Sequence, residues 1–598
     1  MKRHGLRFLD SSVFREEWLV DVPEGWRDEA RARHDGMLCL ARNIRGGMGE
    51  KTKEEYKANT WLREFAEKLK KISRFIAADE YDIRETAKRL ASEFMDAARR
   101  CVGGVEEARR ELSRLAGKAG IKAPDESIRD RPAIARMTCN RWWIKRLRRA
   151  RDMAVETAAR EMGRVHAKRE VYASDETVKR RGRQARRNAG YLADTIAHNE
   201  CTGQDYTLSE LAAKGVSNKA IRRGELMVRI RGCEEFAAAA GHKALFVTLT
   251  TPSKMHRMLA GGAENPKWNG ATPRDAQDYL CKLWARARAA MNRRGVMRYG
   301  VRIAEPHHDG TVHWHLLAFM PKECLPVFEK TLKEYALLED GNEPGAREHR
   351  CAFIRIEASK GTAAGYVAKY ISKNIDGYSV QLDFESGMEA VTASERVEAW
   401  AACWRVRQFQ PFGCPPVTLW RELRRLAPDA GHGKTLEAAR RAACDTVSWA
   451  GFMTAMGGAG VKRKDMPLGI ARTRAGERWD FQNGAAYPEA QSQYGDDAKP
   501  AIYGVMEGRK AWPSVRYRWS VGRKPAVSAP RTCINNCTVE KAENDKRNAD
   551  TRRNDGRKPE EDAKSMGFHA RAYPVDSRGL SGTSDSIDKS YRASGAIP

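Results

Sequence analysis

Hydrophobic residues recur at two different periods along this chain, and the change of period divides it. Residues 1 to about 130 are rich in Ala, Glu, Arg and Lys, and WLREFAEKLKKISRFIA (61–77) repeats its apolar positions at helical spacing. From Ala244 the period shortens to two, and LFVTLTTPS (245–253) has the β-branched composition and Thr-Pro ending of a strand. The pattern predicts a helical N-terminal part followed by a part that contains a sheet.

The middle of the chain alternates between the two periods. After the strand at 245–253, the segments are a helix (276–295), a hairpin of two strands (297–305 and 313–319), a helix (about 325–337), a strand (352–358) and a helix that begins near 359–362. This β-α-β-β-α-β-α order predicts an α+β fold in which an antiparallel sheet carries helices on one face.

Helical spacing returns in VEAWAACWRVRQF (397–409) and VTLWRELRRLA (417–427), whereas residues 541–565 are too polar to bury a core. The predicted regions are a helical N-terminal region (1–130), a basic helical DNA-binding region (131–240), a catalytic domain around the sheet (241–378), a helical region (379–470), a poorly defined region (471–525) and a disordered tail (526–598).

Charge identifies the class of partner. The 108 Lys and Arg residues exceed the 79 Asp and Glu residues by 29, which favours a nucleic acid over a membrane surface. The basic N-terminus has no apolar core of a secretory signal, and no segment approaches the ~18 uninterrupted apolar residues of a membrane span. The thirteen cysteines are odd in number and scattered, as expected of reduced thiols in a cytoplasmic protein.

Two basic segments are candidates for the DNA contact. CNRWWIKRLRRAR (139–151) interleaves basic residues with two tryptophans, and VKRRGRQARR (178–187) is a dense basic run. Such segments can neutralise phosphates and stack unpaired bases. The alternative is a solvated helix face whose tryptophans belong to the core.

The chemistry begins with His313 and His315 on the second hairpin strand. Side chains two apart lie on one face of a strand, so both imidazoles can ligate one divalent ion. A two-residue turn at Asp309-Gly310 would place Pro306 and Ala304 beside them. A loop one residue longer would set His307 opposite His313 and Glu305 opposite His315, and because it gathers four potential ligands we predict that register. Two imidazoles, a carboxylate and open positions suit Mg²⁺ or Mn²⁺.

Tyr366 and Tyr370 follow about fifty residues later. They are four apart, so they share one face of the predicted helix, and Lys369 and Lys373 are close enough to hold phosphates or to favour a phenolate. The alternative is two tyrosines that only pack against the sheet. With a metal on the histidines polarising a phosphate and a tyrosine attacking it, the pattern indicates metal-assisted DNA nicking.

Thr248 and Thr250 put hydroxyl groups on one face of the first strand, where they line a DNA groove or pair across strands.

Other function classes are weaker. PDAGHGKT (428–435) ends like a phosphate-binding loop, but Pro428 occupies the first glycine position and a basic helix precedes it where a strand is required. A non-catalytic DNA-binding protein would use only the basic segments. A conjugative relaxase or a transposase would share the chemistry.

The motifs together resemble the HUH endonucleases, and more closely the replication gene A proteins of P2-like tailed phages. The resemblance covers most of residues 135–427 and includes RMTCNRWW, YASDETVKRR, RRGELMVRIRG, FVTLTTPSKMH, EPHHDGTVHWHLLAF, GYVAKYISKNIDG and WRELRRL. One local difference is Val312, where many relatives have proline.

The resemblance implies a central HUH-type sheet and site-specific nicking of a replication origin. His313 and His315 would ligate the metal, and Tyr366 and Tyr370 would be nucleophiles. Glu305 matches the acidic third ligand of some relatives; others use a third histidine, which leaves His307 open. The implied product is a tyrosine joined to the 5′ phosphate, with rolling-circle replication from the free 3′ end and later rejoining of the strand. The implied partners are single-stranded or supercoiled origin DNA and a host helicase with its replication machinery, in the bacterial cytoplasm.

Overall fold

The structure is a computed structural model, and its described residues are 11–20, 22, 24–43, 48–76, 79–357, 361–378, 382–383, 386–428, 431–480, 484–488 and 491–523. The predicted disordered tail (526–598) lies outside them. The described residues up to Gly522 belong to one compact unit.

The first part of the chain folds as a helical bundle, which confirms the prediction from periodicity. Its helices are α1 Ser11–Leu19, α2 Glu24–Arg42, α3 Met48–Ile76, α4 Glu80–Arg100, α5 Gly104–Lys118, α6 Asp130–Met137 and α7 Asn140–Glu161. Their apolar faces form one core that includes Leu62, Phe94 and Trp143. Leu62, Phe65 and Leu69 of α3, which belong to the segment predicted as helical, lie on the apolar face that this packing requires.

The helices after the bundle are α8 Asp175–Asp194, α9 Leu208–Ala213, α10 Lys219–Ala239, α11 Pro273–Arg293, α12 Cys324–Ala336, α13 Ala346–His349, α14 Ala363–Ile375, α15 Ala390–Trp404, α16 Val417–Leu423, α17 Lys434–Cys444 and α18 Trp449–Ala455. The strands are β1 Thr195–Asn199, β2 Asp205–Thr207, β3 Lys243–Leu249, β4 Tyr299–Pro306, β5 Val312–Met320, β6 Cys351–Ile356, β7 Phe409–Phe412, β8 Leu468–Arg472, β9 Arg478–Asp480, β10 Ala485–Tyr487, β11 Ile502–Glu507, β12 Lys510–Pro513 and β13 Trp519–Arg523.

A five-stranded antiparallel sheet in the order β6-β3-β5-β4-β7 lies in the middle of the fold. Four of its strands were predicted, and so were the helices α11 and α12 between them, whereas the short α13 was not. The edge strand β7 was missed, because Phe409 was expected to end the helix 397–409. That helix ends at Trp404, and Arg405 adopts a left-handed conformation (φ +54°) that turns the chain toward the sheet edge.

The prediction of helices on one face of the sheet is wrong, because helices cover both. Face 1, with Val247, Trp314 and Leu316, packs against α11, α12 and α15. Face 2, with Phe246 and Leu317, packs against α10, α14 and α16 to α18. The central strand β5 is buried along its whole length, which requires cover on both sides.

The packing around the sheet extends beyond residues 241–378. Tyr172, from the segment before α8, and Trp400 of α15 are both fully buried in the face 1 core. The region predicted as poorly defined (471–525) also contributes structure, because its strands β11 and β12 form an antiparallel sheet with β8, which begins at Leu468 in the preceding region. Leu468 and Val505 of this sheet join the face 2 core.

The register of the hairpin differs from the predicted one. Glu305 lies opposite His313, and Ile303 lies opposite His315. The loop has three residues, as expected, but they are His308, Asp309 and Gly310, closed by a hydrogen bond from His307 N to Thr311 O (2.7 Å). The slip of two residues from the predicted pairing keeps every side chain on its face, since the side-chain period is two.

Asp309 determines where this turn forms. Its buried carboxylate accepts hydrogen bonds from Thr311 N (2.9 Å) and Arg257 N (2.9 Å). Burial by itself would raise the pKa of Asp309, but His256 and the buried Arg160 hold it well below its usual range. Gly310 completes the turn at φ +79°, a conformation that glycine adopts without strain.

We expect Asp309→Ala to lower the free energy of unfolding by about 1–3 kcal/mol for each of the two backbone N–H groups, of Thr311 and Arg257, that lose their acceptor. It also removes the largest of the carboxylate charges that offset the buried Arg160. Urea denaturation at neutral pH measures the loss. The folded pKa of Asp309 is depressed, so its contribution is present above the ordinary aspartate pKa and declines as the pH falls through the folded value. The difference between the two proteins should therefore narrow in acid; a constant difference would contradict the charge argument.

Candidate active site

Three side chains that could ligate a metal meet on face 2 of the sheet. Glu305 on β4 and His313 and His315 on β5 place one ligand atom each within 4.8 Å of the others. The Nε2 atoms of the two imidazoles are 3.0 Å apart. All three side chains are buried, at 0%, 2% and 5% exposure respectively. The strand alternation that predicted one shared face for the histidines is observed.

The electrostatics of the histidine pair suit a metal. Burial lowers the pKa of His313 well below its ordinary value, and the neighbouring His307 and His315 lower it further. Burial also lowers the pKa of His315, with added repulsion from Lys373. Both rings are therefore neutral near pH 7, and a neutral imidazole is the form that ligates a metal.

His307 lies beside this group, outside the three-residue cluster. Its ring centroid is 4.0 Å from that of His313 and 5.0 Å from that of His256. The strand register explains why Glu305 belongs to the cluster and His307 does not. Glu305, two residues before His307, is the residue that pairs with His313 across the strands. Geometry therefore favours Glu305 over His307 as the third ligand.

Neighbouring side chains orient the cluster. Asn374, on α14, donates a hydrogen bond to Glu305 Oε1 (2.5 Å), and its own amide oxygen accepts one from Gln408 (2.9 Å). Thr248 lies opposite His315 in the sheet, and its hydroxyl is 3.2 Å from His315 Nδ1. Of the two uses predicted for the hydroxyl face of β3, Thr248 makes the cross-strand contact. Second partners of this kind fix the orientation of metal ligands.

The helix that carries the tyrosines is held at its first turn. Thr362 caps α14 by accepting a hydrogen bond from Gly365 N (3.0 Å). Glu234 of α10 accepts hydrogen bonds from Ala363 N (2.6 Å) and Ala364 N (3.1 Å). A carboxylate at a helix N-terminus is favourable because it meets free N–H groups and the positive end of the helix dipole. These contacts set α14 against face 2.

Both tyrosines face the sheet beside the histidines. The ring centroid of Tyr370 is 4.3 Å from that of His315. Tyr366, one turn earlier, packs edge-on against Phe246 at 4.8 Å and is partly exposed, whereas Tyr370 is buried. Lys369 places its amino group 4.9 Å from the ring centroid of Tyr370 and 5.6 Å from that of Tyr366. The structure thus brings the predicted nucleophiles, one predicted cation and the histidine pair together.

Lys373 occupies a different position from Lys369. Its amino group lies between the carboxylates of Glu305 (3.4 Å) and Asp383 (3.6 Å), and above the ring of Tyr172 (4.7 Å). Its charge is therefore compensated by acids in this structure.

Sequence reasoning missed several residues of this network, namely Asn374, Asp383, Gln408 and Tyr172. The hydroxyl of Tyr172 donates to Asp383, and Tyr172 has a left-handed backbone (φ +69°) that a bulky side chain rarely adopts. The motif YASDET was the available signal for Tyr172, and the helical spacing of four after Tyr370, within GYVAKYISKNIDG, was the signal for Asn374. Asp383 and Gln408 come from segments whose proximity to the site no local pattern records.

The donor set fits a divalent ion. Two neutral imidazoles and a carboxylate are ligands that Mn²⁺ and related ions accept, with positions left for other oxygens. An ion held there would supply a Lewis acid beside the ring of Tyr370.

The first basic segment, 139–151, has different surroundings from those predicted. Trp142 and Trp143 are 6% and 0% exposed, and both belong to the core of the N-terminal bundle. They cannot stack on bases, so that part of the prediction is wrong.

In the segment 428–435, helix α16 precedes the loop and α17 begins at Lys434. The strand that a phosphate-binding loop requires is replaced by a helix, as expected.

Within the part of the chain that the structure describes, no helix has both the length and the apolar character needed to cross a bilayer.

Comparison with known proteins identifies the family to which this chain is similar. The family model of the bacteriophage replication gene A protein (GPA) matches residues 62–378. The chain is 36% identical over 459 residues to the replication protein of Haemophilus phage HP1, covering 71% of this chain and 57% of that protein. It is 39% identical over 427 residues to the replication gene A protein of Escherichia phage 186, covering 68% and 60%.

A third relative is named for an activity. It is a probable replication endonuclease from a prophage-like region of Salmonella typhimurium strain LT2, 34% identical over 440 residues, with 68% of this chain and 52% of that protein covered. The chain spans between about half and three fifths of the length of these curated relatives. No solved structure matches the chain. Because the family model matches more than half of its 598 residues, the chain belongs to the bacteriophage replication gene A protein family.

Proposed function

We propose that this protein is an HUH-type replication initiator that nicks one strand of a replication origin and carries the cut strand on a tyrosine. The observation that carries the proposal is the position of Tyr370, whose ring lies 4.3 Å from that of His315 beside the Glu305–His313–His315 cluster. A phenol next to a metal-ligand group, in a chain with a net charge of +29, is suited to attack a phosphodiester.

In the proposed step, the hydroxyl oxygen of the tyrosine forms a bond to phosphorus while the bond from phosphorus to the 3′ oxygen breaks. The phenol gives up its proton and the departing 3′ oxygen takes one up, so the products are a 5′-phosphotyrosine and a free 3′ hydroxyl. The covalent bond conserves the energy of the phosphodiester, which allows the strand to be rejoined later.

Each side chain has a role in this scheme. Glu305, His313 and His315 would hold Mg²⁺ or Mn²⁺, which supplies Lewis-acid polarisation of a phosphate oxygen. Lys369, whose amino group is 5.6 Å and 4.9 Å from the ring centroids of Tyr366 and Tyr370, would offset negative charge on the phosphate by its own positive charge. Asn374 and Thr248 hold ligand side chains in position. The second tyrosine can attack while the first still carries DNA, as termination of rolling-circle replication requires.

The relatives' names favour replication over conjugative transfer or transposition as the use of this chemistry. The free 3′ hydroxyl would prime synthesis, and a host helicase would unwind the duplex ahead of it. Supercoiled or single-stranded DNA is the expected substrate, because a site that holds one phosphate requires an unpaired strand.

The proposal is tested with a pool of single-stranded oligonucleotides that tile both strands of the replicon encoding this protein, in Mg²⁺ or Mn²⁺. We expect 3′-end label to become covalently attached to the protein, because the fragment that keeps the 5′ phosphate contains the 3′ end. The same pool labelled at the 5′ end is the matched control and should give no labelled protein. Transfer of the 5′ label, or cleavage without an adduct, would refute the proposed chemistry, and mass spectrometry of the adduct identifies the tyrosine.

We expect Asn374→Ala to weaken Mn²⁺ binding by about 10- to 100-fold, because Glu305 loses the hydrogen bond that orients it. Isothermal titration calorimetry with Mn²⁺ measures the affinity without reference to cleavage. Gln410→Ala is the control, since the Gln410 side chain donates to the neighbouring Pro411 O (3.3 Å). Equal affinities for wild type and Asn374→Ala would show that the amide does not position the carboxylate.

A further inference from the structure

Four arginines between Arg146 and Arg151 of helix α7 fall into two groups. Arg148 and Arg151 both form ion pairs with Glu80 of α4. Arg146 and Arg149 have no carboxylate within 4.0 Å among the described residues. The dense charge of this segment is therefore compensated on one part of the helix and left uncompensated on another.

Two further arginines come to the uncompensated part from other elements. The end of α15 is linked to α7 by a contact from Cys403 Sγ to Asp152 O (3.4 Å), and exposed Arg405 follows two residues later. Arg274, at the start of α11, donates a hydrogen bond to Arg405 O (3.2 Å). Since Arg149 is one turn before Asp152 on α7, three elements bring their arginines to one place. We call Arg146, Arg149, Arg274 and Arg405 the arginine cluster.

Mutual repulsion is present in the arginine cluster. Burial lowers the pKa of Arg146, and Arg405 lowers it further. Burial also lowers the pKa of Arg149, and repulsion from Arg405, Arg146 and Arg274 adds to that effect. Asp278, which pairs with Arg274 (2.7 Å), is the acid that the structure places in contact with the arginine cluster among the described residues. Such a concentration of like charge is unfavourable for folding unless an anion offsets it.

The backbone at Arg405 is a second unfavourable feature. Arg405 closes α15 in the left-handed conformation (φ +54°, ψ +43°), with its N–H bonded to Ala401 O. Glycine, or sometimes asparagine, is the usual residue at this position of a helix end. An arginine is therefore kept where glycine would be less strained, and its side chain is exposed.

We propose that the arginine cluster binds the phosphate backbone of duplex DNA without reading its sequence. Four guanidinium groups on rigid elements match a polyanion. Trp142, the ring beneath Arg146 (5.1 Å), is buried and cannot stack on a base, which favours phosphate contacts alone. Helices α11 and α15 cover face 1 of the sheet, whereas the tyrosines lie on face 2. The arginine cluster therefore contacts a stretch of DNA other than the phosphate being cut.

The inference rests on the proposed function only in taking DNA as the ligand, and its test needs no cleavage. A Tyr366→Phe/Tyr370→Phe protein is titrated in EDTA against a short fluorescein-labelled duplex of random sequence, at several KCl concentrations, with fluorescence anisotropy as the readout. Arg405→Gly and Arg149→Gln are each expected to reduce the slope of log affinity against log salt by about one. The thermal midpoint of Arg405→Gly should be unchanged or higher, because glycine relieves the left-handed strain.

Arg89→Gln is the matched control, because exposed Arg89 on α4 is paired with Glu93 (2.6 Å). Its salt slope should equal that of the parent protein. The proposal is overturned if both arginine-cluster variants keep the parental salt slope, because that result would show that the arginine cluster does not contact DNA. If Arg405→Gly alone destabilises the fold, Arg149→Gln decides. A failure of the nicking chemistry would leave these slopes unaltered, so the two proposals are tested separately.

Discussion

Replacing Tyr370 with phenylalanine is expected to reduce the covalent DNA adduct by about 10³-fold or more, the order of effect seen when a nucleophile is removed from an enzyme. The change deletes one oxygen and keeps the ring that packs on His315 at 4.3 Å and on Phe246 at 5.3 Å. Because Tyr370 is the tyrosine in ring contact with a proposed ligand, we expect it to make the first cut. Gel analysis of adducts on 3′-labelled single-stranded DNA measures the loss.

Tyr366→Phe is expected to preserve the first adduct and to abolish the second cleavage on DNA already attached to the protein. The double variant should form no adduct. Tyr335→Phe is a suitable control, since Tyr335 packs on the face 1 core away from the histidines. An adduct of normal yield with the double variant would eliminate both tyrosines as nucleophiles, and the reverse order of effects would make Tyr366 the first.

Removing the histidine pair is the second large effect. His315→Ala should abolish detectable Mn²⁺ binding at micromolar protein concentration, because the ion site loses one of its few protein ligands. It should also lower adduct formation by about 10²-fold or more, because the phosphate loses the Lewis acid that polarises it. EDTA should have the same effect on the wild-type protein, reversed by added Mn²⁺. Calorimetry measures the binding and adduct gels measure the chemistry.

His307→Ala is the informative comparison for the third ligand. His307 contacts His313 but lies outside the group of ligand atoms that are within 4.8 Å of one another. A small loss of Mn²⁺ affinity is therefore expected for His307→Ala and a large one for Glu305→Ala. The opposite result would assign the third position to the histidine, and nicking that survives EDTA would remove the metal from the mechanism.

Local patterns predicted the parts of the site that lie on single elements. The alternation of β5 placed His313 and His315 on one face, and the spacing of four placed Tyr366 and Tyr370 on one side of a helix. These relations depend on backbone geometry alone, so they hold wherever the element forms. The predicted strands β3 to β6 were found for the same reason.

The hairpin register shows the limit of that reasoning. Glycine and aspartate in the turn allowed more than one loop, and the choice depends on the burial of Asp309 beside Arg160 and Arg257, residues distant in sequence. The predicted register put each side chain on the correct face of the sheet, because a slip of two residues preserves the faces. The residue predicted to lie opposite each histidine was wrong.

By itself, the sequence determined the helical and strand periods, the two chemical motifs and the excess of positive charge, since these are properties of short segments or of composition. Tertiary structure alone decided that helices cover both faces of the sheet, that Asn374 holds Glu305, and that Trp142 is core rather than a stacking platform. It also decided which arginines of α7 are neutralised by Glu80 and which remain available. Each of these depends on contacts between distant segments, which form only when burial of apolar surface brings the elements together.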